Sequence, residues 1–425
     1  MMLYQDYSRE QRDAELSQLW DEFNQIKAQG LKLNMARGVP STDQLALSLG
    51  VLDILHSAAD CNASDGTDCR NYGVLDGIPE CKRMMASMLG CEPERIMIGG
   101  NSSLNMMFDT IACFMNCPVV PGTPAWALVA DRKFLCPVPG YDRHFGITEY
   151  FGFEMIPVPM DENGPDMDRV EELVKDPSVK GMWCVPKYSN PTGVSYSDEV
   201  VRRIAALEPA APDFRVMWDD AYCIHDLTDD HDEILNIFDE CEKAGHPDLA
   251  IAFCSTSKIT FPGSGIAAMA YSENNMKVIK NKYKYQTIGY DKLNMLRHVR
   301  FFGDFDGMKA HMKRHAEVLR PRFEIVLKKL SEQLEPYGIV WYNRPRGGYF
   351  VCVNVMDGTA KRVVALCKEA GVILTGAGAT YPYGNDPHDS NIRIAPSFPS
   401  PEELSSAMDI FCICARIAAL EKLNV

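Results

Sequence analysis

A chain of 425 residues exceeds what one ordinary hydrophobic core holds, and points to two domains or to one large α/β domain with a smaller companion. Its 46% apolar and 24% charged residues are those of a folded, soluble protein rather than a disordered one. A formal net charge of −15 argues against general binding to nucleic-acid backbones, while leaving room for a local cationic pocket that takes a small acid.

The start of the chain, Met1 to Glu15, is polar and lacks the apolar core of a secretory signal, and no run approaches the length of a membrane span. The 15 cysteines sit among apolar neighbours, as at Cys412 and Cys414, without metal-type CxxC pairs. Odd in number and spread along a long chain, they read as reduced, buried thiols of a cytoplasmic protein, with no metal site implied.

Ser8 followed by Gln11 is a capping-box start, and Leu16, Leu19, Trp20, Phe23 and Ile26 fall on one helical face that Gly30 can end. Such a helix packs on the rest of the molecule or on a partner subunit. The segment 34–41 is rich in Gly and Pro and reads as a loop. From about residue 70, short apolar strands alternate with helices: strands at 96–98, 153–158, 181–185, 216–218 and 249–253, with helices from Leu104 and around 167–174. This alternation predicts a largely parallel sheet covered on both faces, which binds ligands at the carboxyl ends of its strands. A helical stretch at 309–333 leads towards strands at 339–342 and 349–355 and a helix at 360–369. Ser400, Pro401 and Glu403 then open a final helix with Leu404, Ala407, Met408 and Phe411 on its apolar face.

Six polar clusters stand out, each following or ending an apolar run. Gly99-Gly100-Asn101-Ser102-Ser103 opens a helix and suits a phosphate, although Asn or Ser there also serves as a simple cap. Pro139-Gly140-Tyr141-Asp142-Arg143-His144 offers an aromatic that could stack on a planar ring, with a histidine three residues on; a capped helix with core aromatics is the plainer reading. Ser189-Asn190-Pro191-Thr192-Gly193 fixes a turn that aims the Asn amide off a strand end. Asp219-Asp220-Ala221-Tyr222 puts an acid at the end of a buried strand, costly unless it is paired, caps a helix or serves a ligand such as a pyridinium nitrogen. Ser255-Thr256-Ser257-Lys258 places hydroxyls and one lysine after a buried strand, where a lone lysine is ordinarily a solvated charge. Arg393, in the apolar run Asn391-Ile392-Arg393-Ile394-Ala395-Pro396, carries a planar fork suited to a carboxylate or to a surface ion pair.

In this order and spacing the clusters resemble the fold-type I aminotransferases that use pyridoxal 5′-phosphate (PLP), over nearly the whole chain from Arg37 to the last helix. Ala36-Arg37-Gly38-x-Pro40-Ser41, Asn71-Tyr72-Gly73 and Pro186-Lys187-Tyr188-Ser189-Asn190-Pro191-Thr192-Gly193 look most like an atypical aspartate aminotransferase subgroup. The resemblance implies an α/β fold: a large domain with a mixed, mostly parallel sheet covered by helices, plus a smaller α+β domain. Residues 1–50 would be an N-terminal helix and lid-like segment joining the small domain, 51–308 the large PLP-binding domain and 309–425 the small C-terminal domain.

It also implies roles. Lys258 would hold the cofactor covalently and then shuttle the substrate proton, its ammonium made less stable by burial and a nearby cationic ring. Asp219, backed by His144, would keep the pyridine nitrogen protonated; Tyr222 and Asn190 would hydrogen-bond the ring oxygen; Tyr141 would stack on the ring. Asn101, Ser102, Ser103 and Ser255 would hold the phosphate, and Tyr72 would reach the phosphate of a neighbouring subunit, so that a homodimer shares its active sites. Arg393 would grip the substrate α-carboxylate beside the Gly38 backbone, with Arg143 or Arg37 for a distal carboxylate. One departure stands out: relatives carry an arginine in a Pro-Gly-x-Arg pattern after the lysine loop, whereas this chain has Pro262-Gly263-Ser264-Gly265. Arg70 is the substitute considered for it. The expected reaction moves an amino group from an L-amino acid, aspartate or glutamate, to a 2-oxo acid such as 2-oxoglutarate. An aromatic or broad-specificity aminotransferase, or a PLP lyase or decarboxylase on the same fold, is the alternative.

Overall fold

The computed structural model describes residues 3–425. Its strands, in chain order, are β1 (Leu33–Asn34), β2 (Ile96–Ile98), β3 (Lys133–Val138), β4 (Glu154–Asp161), β5 (Gly164–Pro165), β6 (Val179–Cys184), β7 (Arg215–Asp219), β8 (Ala250–Ser255), β9 (Ala267–Ala270), β10 (Val340–Tyr342), β11 (Val351–Val355), β12 (Val372–Ile373) and β13 (Asn391–Ile394). Eight of them form one sheet in the order β2-β9-β8-β7-β6-β3-β4-β5. β8, β7, β6, β3 and β4 pair in parallel, and β9 runs against both β8 and β2. Hence β2 points the same way as the parallel block, and six strands end on one edge of the sheet. β6, β7 and β8 are buried along their whole length, which explains why they read as apolar runs without alternation. The strands β3, β5 and β9, not singled out in the sequence, complete the sheet.

A second sheet, β10-β11-β13, is antiparallel throughout. The N-terminal helix Arg9–Lys27 begins with the Ser8–Gln11 capping box, as its sequence signals. Its Leu19 and Phe23 are buried in one core with Phe323, Leu330, Val351, Met408 and Phe411. β1 adds to this region by pairing in parallel with β12, Leu33 opposite Val372. The helix thus docks on the C-terminal part of its own chain, where Arg416 pairs with Glu15.

The helix Phe305–Gln333 links the two regions. Met308 and Met312 pack into the core on one face of the large sheet, whereas Leu319, Phe323, Val326 and Leu330 belong to the core shared by the N- and C-terminal segments. Pro321 lies within the second stretch, between Leu319 and Phe323, and supplies no amide hydrogen to the helix ladder. The final helix, Pro401–Leu423, starts with a capping box between Ser400 and Glu403.

Candidate active site

The shared edge of the large sheet opens on a cleft of about 440 Å³ whose other wall comes from β13, Phe350 and the loop 36–39. A cleft at the carboxyl ends of parallel strands is where this architecture leaves backbone groups and side chains free to meet a ligand. Tyr141, Asn190, Asp219, Tyr222, Ser102, Ser103, Ser255, Lys258, Arg393, Gly38, Arg37 and Arg143 all line it.

Asp219 is the last residue of β7 and is buried. Its Oδ2 lies 3.0 Å from His144 Nε2, and the His144 ring stacks on Trp183 with centroids 4.3 Å apart and planes 9° apart. His144 therefore sits behind the acid. Asp219 Oδ1 is buried with no hydrogen-bond partner among the described residues. An orphaned carboxylate oxygen is costly, and a cationic N–H from a ligand is what offsets that cost. Asp220, one residue on, faces away: it lines a separate cavity with Lys187 and Cys223, and burial pushes its carboxyl up to about 7.

Lys258 Nζ lies 5.0 Å from the centre of the Tyr222 ring and 6.0 Å from that of Tyr349. Burial lowers its pKa from the usual lysine value, with the Asp219 charge acting in the opposite direction. Burial also pushes the Tyr141 phenol up to about 12 and the Tyr222 phenol well above its ordinary value, so both hydroxyls keep their protons at neutral pH. Asn190 turns Oδ1 towards Arg393 Nη1, 3.2 Å away, which leaves its amide N–H groups for another acceptor.

At the opposite end of the cleft, Ser102 caps the helix Ser103–Asn116 by accepting from Leu104 N. Ser255 Oγ donates to Ser257 Oγ (3.2 Å), which donates to the Asn101 carbonyl (2.7 Å). A helix N-terminus ringed by hydroxyls is suited to a phosphate. Asn101 itself stands outside the cleft lining, its amide donating to the Pro262 carbonyl at 2.9 Å. Gly265 is tightly enclosed: an added Cβ would lie 3.1 Å from Thr256 Oγ1 and 3.2 Å from Ser257 N. Arg70 does not enter the cleft of its own chain; it is bound to Asp68 through Nε (2.8 Å) and Nη2 (2.7 Å). Tyr72 is 82% exposed and lies beside Arg70 and the segment 289–293, away from its own chain's cleft.

The remaining wall is cationic. Arg393 lies over the Phe350 ring at 4.8 Å and bonds Asp142 Oδ1 at 2.8 Å. Arg37 and Arg143 are exposed along the cleft and form no ion pair among the described residues. Gly38 faces the Phe350 ring so closely that a Cβ there would lie 2.4 Å from Cζ. Asp142, Phe350, Thr375, Ser257 and Met107 also line the cleft, and sequence reasoning singled out none of them as site residues. Only Asp142 and Ser257 carried a signal, as polar neighbours of Tyr141 and Lys258.

The model of the aspartate amino-transferase family matches residues 8–425, and the chain belongs to that family. It is an aminotransferase of the PLP-dependent fold type I, and as such takes an amino acid and a 2-oxo acid. It is 48% identical to an aspartate aminotransferase of Corynebacterium glutamicum over 400 residues, 94% of this chain and 92% of that one. A putative aminotransferase of Mycolicibacterium smegmatis is 44% identical over 99% of both chains. Among solved structures, an aspartate transaminase from Corynebacterium glutamicum superposes with a TM-score of 0.96 at 46% identity, covering 99% of each chain.

Proposed function

We propose that the chain transfers the amino group of L-aspartate or L-glutamate to a 2-oxo acid such as 2-oxoglutarate, with PLP held in this cleft. The observation that carries the reading is the union of Lys258 and the unpartnered Asp219 Oδ1 with three arginines in one cleft. The name of the Corynebacterium glutamicum relative supports aspartate as the donor.

Asp219 would receive the pyridine N–H, His144 would hold that carboxylate in place, and Tyr222 and Asn190 would hydrogen-bond the ring oxygen. Tyr141 would cover the ring face. Ser102, Ser103, Ser255 and the helix N-terminus would take the phosphate, with Asn101 bracing the Ser257 turn. When bound, PLP supplies the electron sink that makes loss of the substrate α-proton feasible. Lys258 Nζ would take that proton from Cα and return it on the cofactor side, a task its burial-lowered pKa favours. Arg393 would hold the α-carboxylate beside Gly38, and Arg143 or Arg37 the distal one.

In the same reading, residues 51–308 form the cofactor-binding domain, while 1–50 and 309–425 form the small one; the core shared by the N- and C-terminal segments supports this division. Tyr72, exposed and remote from its own cleft, would complete the phosphate site of a second subunit in a homodimer. A half-reaction panel tests the assignment. Aspartate and glutamate should convert the holoenzyme, and Arg143→Ala or Arg37→Ala should raise KM for them while sparing monocarboxylic donors. If both variants leave aspartate turnover intact, the distal-carboxylate assignment fails; release of an elimination or decarboxylation product would favour a lyase.

A further inference from the structure

The Arg393 guanidinium is already engaged. Its Nη1 bonds Asp142 Oδ1 at 2.8 Å and Asn190 Oδ1 at 3.2 Å, and Nη2 reaches Thr375 Oγ1 at 3.3 Å. The two charged partners come from different parts of the fold: Arg393 from β13, and Asp142 from the first turn of the helix Asp142–Tyr150 beside the large sheet. The arginine side chain is only 8% exposed, the aspartate 33%.

A guanidinium so buried is expensive without a counter-charge, and Asp142 supplies one in the absence of substrate. A carboxylate binding this fork bidentately needs nitrogens that donate in parallel, and Nη1 already serves Asp142. We propose that Asp142 is an internal competitor for the substrate carboxylate, displaced from Arg393 each time an amino acid or a 2-oxo acid binds. The inference rests on Arg393 being the α-carboxylate anchor.

Binding is then an exchange. The incoming carboxylate takes over the arginine, and the Asp142 carboxylate, one-third exposed, turns to water or to the neighbouring Arg143, which forms no ion pair among the described residues. Two consequences follow. The competition weakens amino acid and 2-oxo acid by a similar factor, because both present the same α-carboxylate. Ligands lacking a carboxylate gain nothing from the arginine, because they cannot displace Asp142. Asp142 thereby sets a threshold that only a well-placed carboxylate passes.

The test is calorimetric titration of the PLP-loaded enzyme with succinate, a dicarboxylate that cannot react. The proteins are wild type, Asp142→Asn, Asp142→Ser and Arg393→Lys, with two substitutions at Asp142 in case one does not fold. Removing a one-third-exposed competing charge should tighten succinate about two- to fivefold in the Asp142 variants. KM for the amino donor and the oxo acceptor should fall together by a similar factor. Succinate affinity that is unchanged or weaker in the folded Asp142 variants overturns the proposal while leaving the anchor role intact, provided Arg393→Lys binds succinate poorly. Wild-type succinate affinity in Arg393→Lys would instead remove the anchor role itself, and the competition with it.

Discussion

Asp219 Oδ2 lies 3.0 Å from His144 Nε2, while Oδ1 of the same carboxylate is buried without a hydrogen-bond partner among the described residues. One oxygen is thus fixed by the protein, and the other would be available to a ligand in the proposed reading. Asp219→Asn removes the charge that would match a cationic ring nitrogen. We expect kcat to fall by on the order of 10²–10³, the usual cost of deleting one preorganised electrostatic partner. His144→Phe keeps an aromatic ring against Trp183 but frees the acid, and should give a smaller loss. Steady-state kinetics of the two variants check the ranking.

The depressed pKa of Lys258 makes a stability prediction with a definite sign. Burial holds its folded-state pKa below the ordinary value of 10.5, so from that lowered pKa up to about 10.5 the unfolded chain binds more protons at this position. Stability of the cofactor-free protein therefore rises with pH across this window on account of Lys258. Lys258→Met should be more stable than wild type at neutral pH, and the difference should shrink as pH approaches 10.5. Urea unfolding of both proteins at several pH values measures it.

Gly38 leaves no room for a side chain, because a Cβ would lie 2.4 Å from Phe350 Cζ. Gly38→Ala should cost about 1–3 kcal/mol of stability through overpacking and raise KM, since the loop 36–39 walls the cleft. The double variant with Phe350→Leu should recover most of both, which thermal unfolding and kinetics can follow.

The proposed sharing of sites between two subunits predicts complementation. Lys258→Ala and Tyr72→Ala proteins should each be impaired. Mixed and allowed to exchange subunits in equal amounts, they should regain about a quarter of wild-type activity, because half of the dimers carry one intact site. No recovery on mixing would show that Tyr72 serves only its own chain.

Much of the site was legible because buried parallel strands announce themselves as apolar runs, and ligand-facing residues sit at their ends. Asp219, Ser255 and Lys258 were readable in this way. The choice between Asp219 and Asp220 depends on which face each takes at a strand end; the family resemblance pointed to Asp219, and in the structure Asp219 lines the cleft while Asp220 lines a separate cavity. Asp142 was invisible as a partner of Arg393 because the two lie 251 residues apart and meet only when the two sheets are assembled. Phe350 and Thr375 were missed for the same reason: ordinary residues become site residues through packing. Gly265 showed as a departure from the relatives' pattern, and in the structure an added Cβ there would press on Thr256 Oγ1 and Ser257 N.

The most direct measurement adds L-aspartate to the PLP-loaded enzyme without any 2-oxo acid. The account predicts bleaching of the cofactor's absorbance with one equivalent of oxaloacetate released per active site, restored by 2-oxoglutarate and absent in Lys258→Ala. Continuous release of alanine or fumarate, or no spectral change with any dicarboxylic amino acid, would contradict it.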